Sequence, residues 1–381
     1  MKIAHVSIIP AFSPGVFKKL EDKAQISLDN NIDVDFYLLN PMKNYHKKNL
    51  HILKKSYDFL PSAFLKTIFF RLFKLRNLEK LVDLNSYDAI ILRYPLVDGF
   101  GSTSFMNKYG NKIFTEHHTD EISELFAVNR LVDKIRAYIE MCFAKSFLSK
   151  VSGIICVTDE IRKIELKKIK KNIPSITVAN GINKNSFKKT NFIQFDNKVL
   201  KMIFVASLFS PWHGLEGLLS LLQSYTGDVK IELNLVGSIT EFQNKILSNI
   251  DTENLEIIVH GKVYNEDLDI LMSRMNIGIS SLALSKNNMK EACTLKSREY
   301  IVRGIPFIYA YKDTDLDGDE IFAKKFEENN ISINEIIKFA NTVSKNRELV
   351  LKTFSKYVEK VSWENKMKTI EEFVKKVLKD K

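Results

Sequence analysis

Residues 291–306 carry the strongest local signal in the chain and have the sequence EACTLKSREYIVRGIP. Thr294 suits the N-cap of a helix, Gly304 suits the position just after its end, and Pro306 cannot continue it. A short helix is therefore predicted over residues 295–303. Its first turn would offer unpaired backbone N–H groups and the positive end of the helix dipole, and Lys296 would add a full charge. This pattern predicts a binding site for an anion such as a diphosphate.

Two glutamates bracket the start of this predicted helix. Glu291 precedes it and Glu299 lies more than one turn inside it, so the two carboxylates cannot line one helical face. They would flank the anion, one accepting hydrogen bonds from the hydroxyls of a sugar and the other from those of a ribose. We therefore predict a site for a UDP-, GDP- or ADP-type sugar. At the helix start, the predicted binding residues are Thr294, Leu295 and Lys296.

Length and composition indicate a globular protein of two domains. The chain has 381 residues, of which 45% are hydrophobic, and each half is long enough to bury its own core. Its three cysteines, Cys142, Cys156 and Cys293, lie far apart, which favours neither a disulfide framework nor a zinc site. The apolar run of residues 3–9 is too short for a signal peptide, and no segment of the sequence is apolar enough to span a bilayer. We expect a cytoplasmic protein.

Strand-like and helix-like segments alternate along both halves of the chain. This alternation predicts an α/β fold with two doubly wound, Rossmann-like domains, whose ligands would lie in a cleft at the carboxyl ends of the strands. The predicted strands are residues 3–9, 34–39, 89–93, 112–116, 153–157 and 176–178 in the first half, and 202–206, 232–236, 256–259, 277–280 and 307–310 in the second. The polar segment 183–197 is the predicted linker. The predicted domains are residues 1–190 and 198–352, followed by helices over residues 353–381.

The spacing around the two glutamates is also informative. Seven residues separate Glu291 from Glu299, and Tyr300 and the sequence Gly304-Ile305-Pro306 follow. Together these residues resemble family 4 of the retaining GT-B glycosyltransferases. The resemblance implies two facing Rossmann-like domains with a cleft between them and a C-terminal helix that crosses back to the N-terminal domain. It also implies that Glu291 contacts the donor sugar and Glu299 the nucleotide ribose.

The resemblance implies further site residues in both domains. A histidine after the fourth strand would approach the donor sugar, and His118 is the first choice for it, with His117 second. Gly15, in the loop of residues 10–19, would lie near the donor phosphate and the acceptor. Lys262, after the strand 256–259, would lie near the nucleotide base. His118 and Glu291 are thus the predicted catalytic residues.

The chain departs from the family at the start of the second domain. The family places an arginine and a lysine there to hold the diphosphate, whereas this chain has Ser207 and His213. The diphosphate would then depend on Lys296, on the helix start and on His213. The departure leaves a second interpretation open, in which the protein is a catalytically weak GT-B homologue that acts as a scaffold or partner subunit.

The balance of charge favours an anionic partner. The net charge is +11, and residues 59–76 mix aromatic and aliphatic side chains with Lys66, Arg71, Lys74 and Arg76. This segment is predicted to form an amphipathic basic helix, which could lie on an anionic membrane or pack on the N-terminal sheet with a solvated edge. Nucleic acid is not a predicted partner, because no clustered reading element or RNA-binding motif accompanies the charge.

Residues 313–318 match the start of a calcium-binding loop. The position that needs the last carboxylate ligand is Lys324, so neither a calcium site nor any required metal or cofactor is predicted. The sequence therefore predicts a metal-independent, retaining hexosyltransferase that moves a sugar from a nucleotide-sugar to a hydroxyl acceptor. The acceptor is expected to be a glycan or lipid-linked intermediate of bacterial surface polysaccharide or glycolipid synthesis. The enzyme would work on the inner face of the plasma membrane.

Overall fold

The computed structural model describes residues 1–11, 13–41, 45–127, 130–169, 172–190, 192–250 and 253–381. Phe12 of the predicted Gly15 loop and Asn191 of the predicted linker lie outside this part of the chain. The described residues divide into two compact units. The first unit comprises Met1–Ala179 and Trp363–Lys381, and the second unit comprises Asn180–Ser362.

The first unit is built on a sheet of eight described strands. Its order is β3-β4-β2-β1-β5-β6-β7-β8, and every pair is parallel except the antiparallel pair β3–β4. The strands are β1 (Ile3–Ile8), β2 (Val34–Asn40), β3 (Tyr45–Lys47), β4 (Leu50–Lys54), β5 (Ala89–Arg93), β6 (Ile113–His117), β7 (Gly153–Cys156) and β8 (Ser175–Thr177). The helices are α1 (Pro14–Asp29), α2 (Ala63–Leu72), α3 (Lys74–Leu81), α4 (Ser102–Tyr109), α5 (Glu121–Ala127), α6 (Leu131–Leu148) and α7 (Asp159–Lys168).

The second unit repeats the parallel design with a sheet of six described strands, in the order β11-β10-β9-β12-β14-β16, and a separate strand pair, β13–β15. The strands are β9 (Val199–Leu208), β10 (Lys230–Ser238), β11 (Leu255–Gly261), β12 (Ile277–Ile279), β13 (Glu291–Ala292), β14 (Phe307–Tyr309), β15 (Lys312–Asp313) and β16 (Ala323–Lys325). The helices are α8 (Leu215–Gln223), α9 (Glu241–Ser248), α10 (Asn265–Met272), α11 (Leu295–Arg303), α12 (Ile333–Lys345) and α13 (Arg347–Val361).

The last helix, α14 (Trp363–Lys379), returns the chain to the first unit. Its side chains Trp363, Met367, Ile370 and Val374 are buried in the same hydrophobic core as the strands of that unit. Their spacing of three or four residues places them on one helical face, which explains why a helix with a charged opposite face packs here. The predicted α/β fold with two parallel sheets and a returning C-terminal helix is confirmed.

The boundaries between the units differ from the sequence-based ones. Residues 180–190 belong to the second unit, because Ile182 donates its backbone N–H to the carbonyl of Val361 and forms a strand bridge with Ser362. Of the predicted C-terminal helices, α13 belongs to the second unit and only α14 to the first. Local composition shows where a chain is polar, but pairing between distant segments sets the boundary.

The predicted basic helix of residues 59–76 is two helices, α2 and α3, which meet at Phe73. Lys74 is buried and forms an ion pair with Asp98, and Arg71 is only half exposed. Phe59 and Phe64, by contrast, are 76% and 59% exposed. The segment is therefore not one continuous amphipathic helix, because two of its cations point into the unit and part of its aromatic surface faces solvent.

Candidate functional site

The predicted helix at residues 295–303 is α11, and its caps are those that the sequence indicated. Thr294 is the N-cap and accepts a hydrogen bond from the backbone N–H of Ser297, and Gly304 ends the helix with a positive φ of 75°. The Thr294 hydroxyl also lies 3.0 Å from the hydroxyls of Ser280 and Tyr311. This hydroxyl cluster holds the start of α11 against the ends of β12 and β14, so the first-turn N–H groups have a fixed direction. Leu295, the first helical residue, is 47% exposed.

Lys296 has the most unusual environment of the predicted donor-binding residues. Its Nζ atom is buried, has no hydrogen-bond partner among the described residues, and lies 5.0 Å from the centre of the Phe204 ring. Burial lowers the pKa of Lys296 to about 7, and the carboxylate of Glu299 only partly opposes this effect. A buried ammonium without a hydrogen-bonded partner is costly, and a bound anion would remove that cost.

His213 lies close enough to Lys296 for the two groups to interact electrostatically. It ends the short turn Pro211–His213, and its Nδ1 atom accepts a hydrogen bond of 2.9 Å from the backbone N–H of Ser210. The remaining ring nitrogen, Nε2, therefore carries the proton of the neutral ring. Burial, together with the charge of Lys296, lowers the pKa of His213 to about 3. His213 can thus donate a hydrogen bond to a phosphate but contributes no positive charge.

The two predicted carboxylates have different partners. Glu291 lies in β13, which pairs with β15, and its carboxylate forms an ion pair of 2.8 Å with Lys312. Glu299 forms an ion pair of 2.9 Å with Arg303, one turn further along α11, and Arg303 is also bonded to Asp269. Burial raises the pKa of Glu299 despite the opposing effect of Arg303. Both carboxylates are therefore held in position by a cation of the second unit.

Sequence reasoning missed the ion pairs that anchor this region. Arg298 of α11 is fully buried and bonds both Asp313 and, at 2.7 Å, Asp315. These aspartates are the ones that resembled a calcium-binding loop, and their carboxylates instead neutralise a buried guanidinium. Because Asp313 lies in β15, next to β13, the ion pairs also fix the strand that carries Glu291. The signal in the sequence that could have predicted these ion pairs is an arginine on the predicted helix, followed by two aspartates after an apolar segment.

Gly237 and Lys262 lie near the carboxyl ends of β10 and β11, two neighbouring strands of the second unit. Gly237, near the end of β10, has a φ of 132°, and a side chain there would overlap the carbonyl oxygen of Ala206. The last residues of β9 and the end of β10 can therefore approach closely only because residue 237 is a glycine. Lys262, after β11, is exposed. Its predicted role near a base remains a prediction.

In the first unit, His118 follows β6 and belongs to a buried polar network. Its Nε2 atom lies 3.0 Å from Glu116, which is also paired with Lys23 at 2.9 Å and with His5 at 3.2 Å. Burial and the nearby charge of Lys19 lower the pKa of His118 to about 3. The imidazole is therefore neutral near pH 7 and can act as a hydrogen-bonding group but not as a proton donor from an imidazolium.

His117, the second choice, is fully buried and contacts a different group of residues. Its ring stacks on Tyr94, and its Nδ1 atom lies 3.2 Å from Glu121 and 3.6 Å from Glu165. These three residues bring possible metal-binding atoms within 4.8 Å of one another. Glu165 is, however, already paired with Lys168, and the two glutamates raise the pKa of His117. One of the three possible metal-binding residues is therefore already engaged by a lysine.

Gly15 lies in the first turn of α1, after the N-cap Ser13. It is exposed, and a side chain at this position would meet no atom of the described residues within 4 Å. No contact in its own unit therefore requires a glycine, and its predicted role near a donor phosphate remains a prediction.

Solved structures of several glycosyltransferases share this architecture. Sucrose-phosphate synthase from Thermosynechococcus elongatus matches with a TM-score of 0.66 at 12% identity, over 100% of both chains. The lipopolysaccharide outer core galactosyltransferase WaaB matches with a TM-score of 0.63 at 12% identity, over 97% of this chain and 98% of that one. HepE from Anabaena, in complex with UDP-glucose, matches with a TM-score of 0.60 at 13% identity, over 99% and 100%.

These similarities establish the GT-B fold. The sequence matches no protein-family model and none of the curated proteins. None of the described helices combines the length and the apolarity needed to cross a membrane.

Proposed function

We propose that this protein is a retaining, metal-independent glycosyltransferase that uses a nucleotide-sugar donor. The observation that carries the proposal is the buried Nζ atom of Lys296, which has no hydrogen-bond partner among the described residues and lies in the first turn of α11. A diphosphate at this position would receive the charge of Lys296, the N–H groups of the helix start and a hydrogen bond from His213. The GT-B fold, shared with a structure that holds UDP-glucose, supports this assignment.

In the proposed reaction, the bond between the anomeric carbon and the diphosphate oxygen breaks, and its electron pair stays on the diphosphate. The acceptor hydroxyl oxygen forms the new bond to the anomeric carbon, and its proton leaves to the nucleoside diphosphate. Lys296 and the α11 dipole would stabilise the charge of the departing diphosphate, and Glu291 and His118 would hold the sugar. No side chain is assigned as a nucleophile.

A specific observation favours a second candidate, a weakly active scaffold. Ser207 is an exposed, uncharged residue where the family has an arginine, and His213 is neutral because its pKa is about 3. Lys296 would then be the main cation of the diphosphate site, and its own pKa of about 7 leaves it only partly charged at neutral pH. In this second candidate, the donor binds too weakly for turnover.

The two candidates are separated by thermal stabilisation with a panel of nucleoside diphosphates, because a ligand that binds only the folded state raises the melting temperature. A selective rise with one nucleotide, reduced in Lys296→Met, supports the donor site. Lys286→Met is the matched control, since Lys286 is an exposed lysine of the same unit. Hydrolysis or transfer of the corresponding nucleotide-sugar would then establish the enzyme, whereas no shift with any nucleotide would favour the scaffold.

We further propose that the acceptor is a lipid-linked glycan and that the protein works on the inner, anionic face of a membrane. Helix α6 carries an outward apolar face in which Leu131, Ile135 and Tyr138 are 75%, 50% and 60% exposed. Both acids of this helix, Asp133 and Glu140, are buried. An exposed face with apolar side chains and no carboxylates suits the surface of an anionic bilayer.

Co-sedimentation with phospholipid vesicles tests this surface. Vesicles that contain phosphatidylglycerol should bind the protein more strongly than pure phosphatidylcholine, and Leu131→Glu with Ile135→Glu should reduce the binding. Leu349→Glu is the matched control, because Leu349 is 53% exposed on a helix of the second unit. Equal binding by all three proteins would contradict the assignment of α6.

A further inference from the structure

The first unit contains a pocket of about 420 Å³ at the carboxyl ends of β1, β5 and β6. Its volume lies within the range of about 300–1,000 Å³ that small-molecule sites have. His118 lines it, as do residues of α2, α5 and the start of α6. The pocket is therefore formed by described residues of one unit and includes a residue that the proposed function assigns to sugar binding.

Five cationic side chains line this pocket, and two of them are neutralised within the protein. Lys74 and Arg136 both bond the carboxylate of Asp98, and Arg136 also bonds Asp133 at 3.0 Å. These ion pairs fix the wall of the pocket and leave no charge for a ligand.

The other three cations are Arg71, Arg93 and Arg130. In the part of the chain that the structure describes, none of their guanidinium groups forms an ion pair or a side-chain hydrogen bond. The Nε atom of Arg71 is buried and without a partner. Burial, together with the nearby charge of Arg136, lowers the pKa of Arg71, and the charge of Arg93 contributes to the low pKa of His118.

The acids of the pocket offset these three charges only in part. Of its four carboxylates, Glu116 is paired with Lys23, Glu121 with His117 and Asp133 with Arg136. Glu124 keeps its negative charge, because its one partner among the described residues is the hydroxyl of Thr119 at 2.9 Å.

Arg71 and Arg93 are half-buried and lose part of their hydration, whereas Arg130 is exposed at the rim. Guanidinium groups in this arrangement repel one another, so an anion that bonds them is favoured. A guanidinium group can donate two parallel hydrogen bonds to two oxygens of one phosphate, so phosphate is the ligand that best matches these arginines.

We infer that this pocket binds a phosphate group of the acceptor through Arg71, Arg93 and Arg130. The inference rests on the proposed function in one respect, namely that the first unit receives the acceptor. The phosphate could belong to a soluble phosphorylated sugar or to the headgroup of a lipid-linked sugar, and both sources present the same oxygens to the arginines. Because the proposed function assigns His118 to the donor sugar, its position in the same pocket would bring the acceptor close to that sugar.

The test is calorimetric titration of the full-length protein, without donor, with inorganic phosphate, a hexose 6-phosphate and the corresponding free hexose. The phosphorylated probes should bind and the free hexose should bind much more weakly. Arg93→Gln and Arg130→Gln should each weaken the binding of the phosphorylated probes by about tenfold or more. Arg76→Gln, which removes an exposed arginine of the same unit outside the pocket, should leave it unchanged. Arg93 and Arg130 are chosen because the Nε atom of Arg71 is buried, and melting curves verify that the variants fold.

A second arm identifies the source of the phosphate. In this arm, phosphatidylcholine vesicles that contain phosphatidic acid replace the soluble probes. If the protein binds these vesicles in a manner that depends on Arg93, and does not bind the hexose phosphate, the phosphate belongs to a lipid headgroup. Unchanged affinity of both arginine variants for every phosphorylated probe would overturn the inference. So would a loss of nucleoside diphosphate binding, instead of hexose phosphate binding, in Arg93→Gln.

Failure of the phosphate-site inference can be distinguished from failure of the proposed function. If a nucleoside diphosphate stabilises the protein but no phosphorylated probe depends on the arginines, the donor site stands and the acceptor inference is wrong. If the arginines bind phosphate but no nucleotide binds, the pocket is real and the transfer reaction is wrong.

Discussion

The Nζ atom of Lys296 lies 5.0 Å from the centre of the Phe204 ring, in a buried position without a hydrogen-bonded partner among the described residues. The aromatic face offers a partial compensation for the ammonium charge, because its negative quadrupole attracts cations. The pKa of about 7 shows that this compensation is incomplete. The free site is thus arranged to gain a proton together with an anionic ligand.

Nucleotide affinity should therefore depend on pH. Below about pH 7 Lys296 is already charged, so the affinity should be nearly constant, whereas above it each binding event needs a proton and the affinity should fall by up to about tenfold per pH unit. Lys296→Met should weaken the binding by about 1.5–3 kcal/mol and remove this dependence. Calorimetric titration with the stabilising nucleoside diphosphate measures both effects. A dependence that persists in Lys296→Met would assign the proton to another group.

The two glutamates should have separable roles. Glu291→Gln should lower turnover with little change in nucleotide affinity, whereas Glu299→Gln should lower the affinity for the nucleotide. Loss of the Glu299 carboxylate leaves Arg303 bonded to Asp269 at 2.8 Å, so the fold should lose only about 1 kcal/mol. Turnover and nucleotide affinity are measured for both variants. Identical effects of the two substitutions would contradict the assignment of Glu291 to the sugar and Glu299 to the ribose.

His118 should not produce a titration step in the reaction near pH 6.5. Its pKa of about 3 keeps the ring neutral from about pH 5 to about pH 8, where an ordinary histidine would titrate. His118→Asn should lower the rate but leave the shape of the pH–rate profile as in the wild-type protein. A step near pH 6.5 that disappears in His118→Asn would show that the ring titrates during the reaction.

Arg298 should be essential for the stability of the second unit. Arg298→Met would leave Asp313 and Asp315 buried without their cation, which typically costs about 3–5 kcal/mol. Urea denaturation measures the loss, and Arg274→Met, at an exposed arginine of the same unit, is the control with an expected change near zero. Similar midpoints for both variants would show that the ion pairs contribute little.

Gly237 should tolerate no side chain. Gly237→Ala would combine a φ of 132° with overlap on the carbonyl of Ala206, and should lower the free energy of unfolding by at least about 2 kcal/mol. Gly217→Ala is the matched control, because Gly217 lies exposed within α8 with no atom near its side-chain position. That substitution should stabilise the helix by about 0.5–1 kcal/mol. Equal melting temperatures would contradict the close approach at Gly237.

The sequence by itself determined the elements whose signals are local. The limits of α11 follow from Thr294, Gly304 and Pro306, because capping depends on neighbouring residues. The parallel strands of both sheets follow from short apolar runs between helical segments. The sequence did not predict β3, β4 or β16, short segments in which the apolar residues lie next to histidine or lysine. It also missed β13 and β15, since two residues carry no periodicity.

Only the tertiary structure decided which charges are neutralised and which are left for a ligand. In the sequence, Asp313 and Asp315 resembled a metal-binding loop, Arg71 and Lys74 a membrane-facing edge, and His213 a phosphate-binding residue in the place of a lysine. Folding pairs the aspartates with Arg298, buries Lys74 against Asp98 and makes His213 neutral. The physical reason is that charge state and hydrogen bonding depend on burial and on partners far away in the chain, which residue identity alone does not encode.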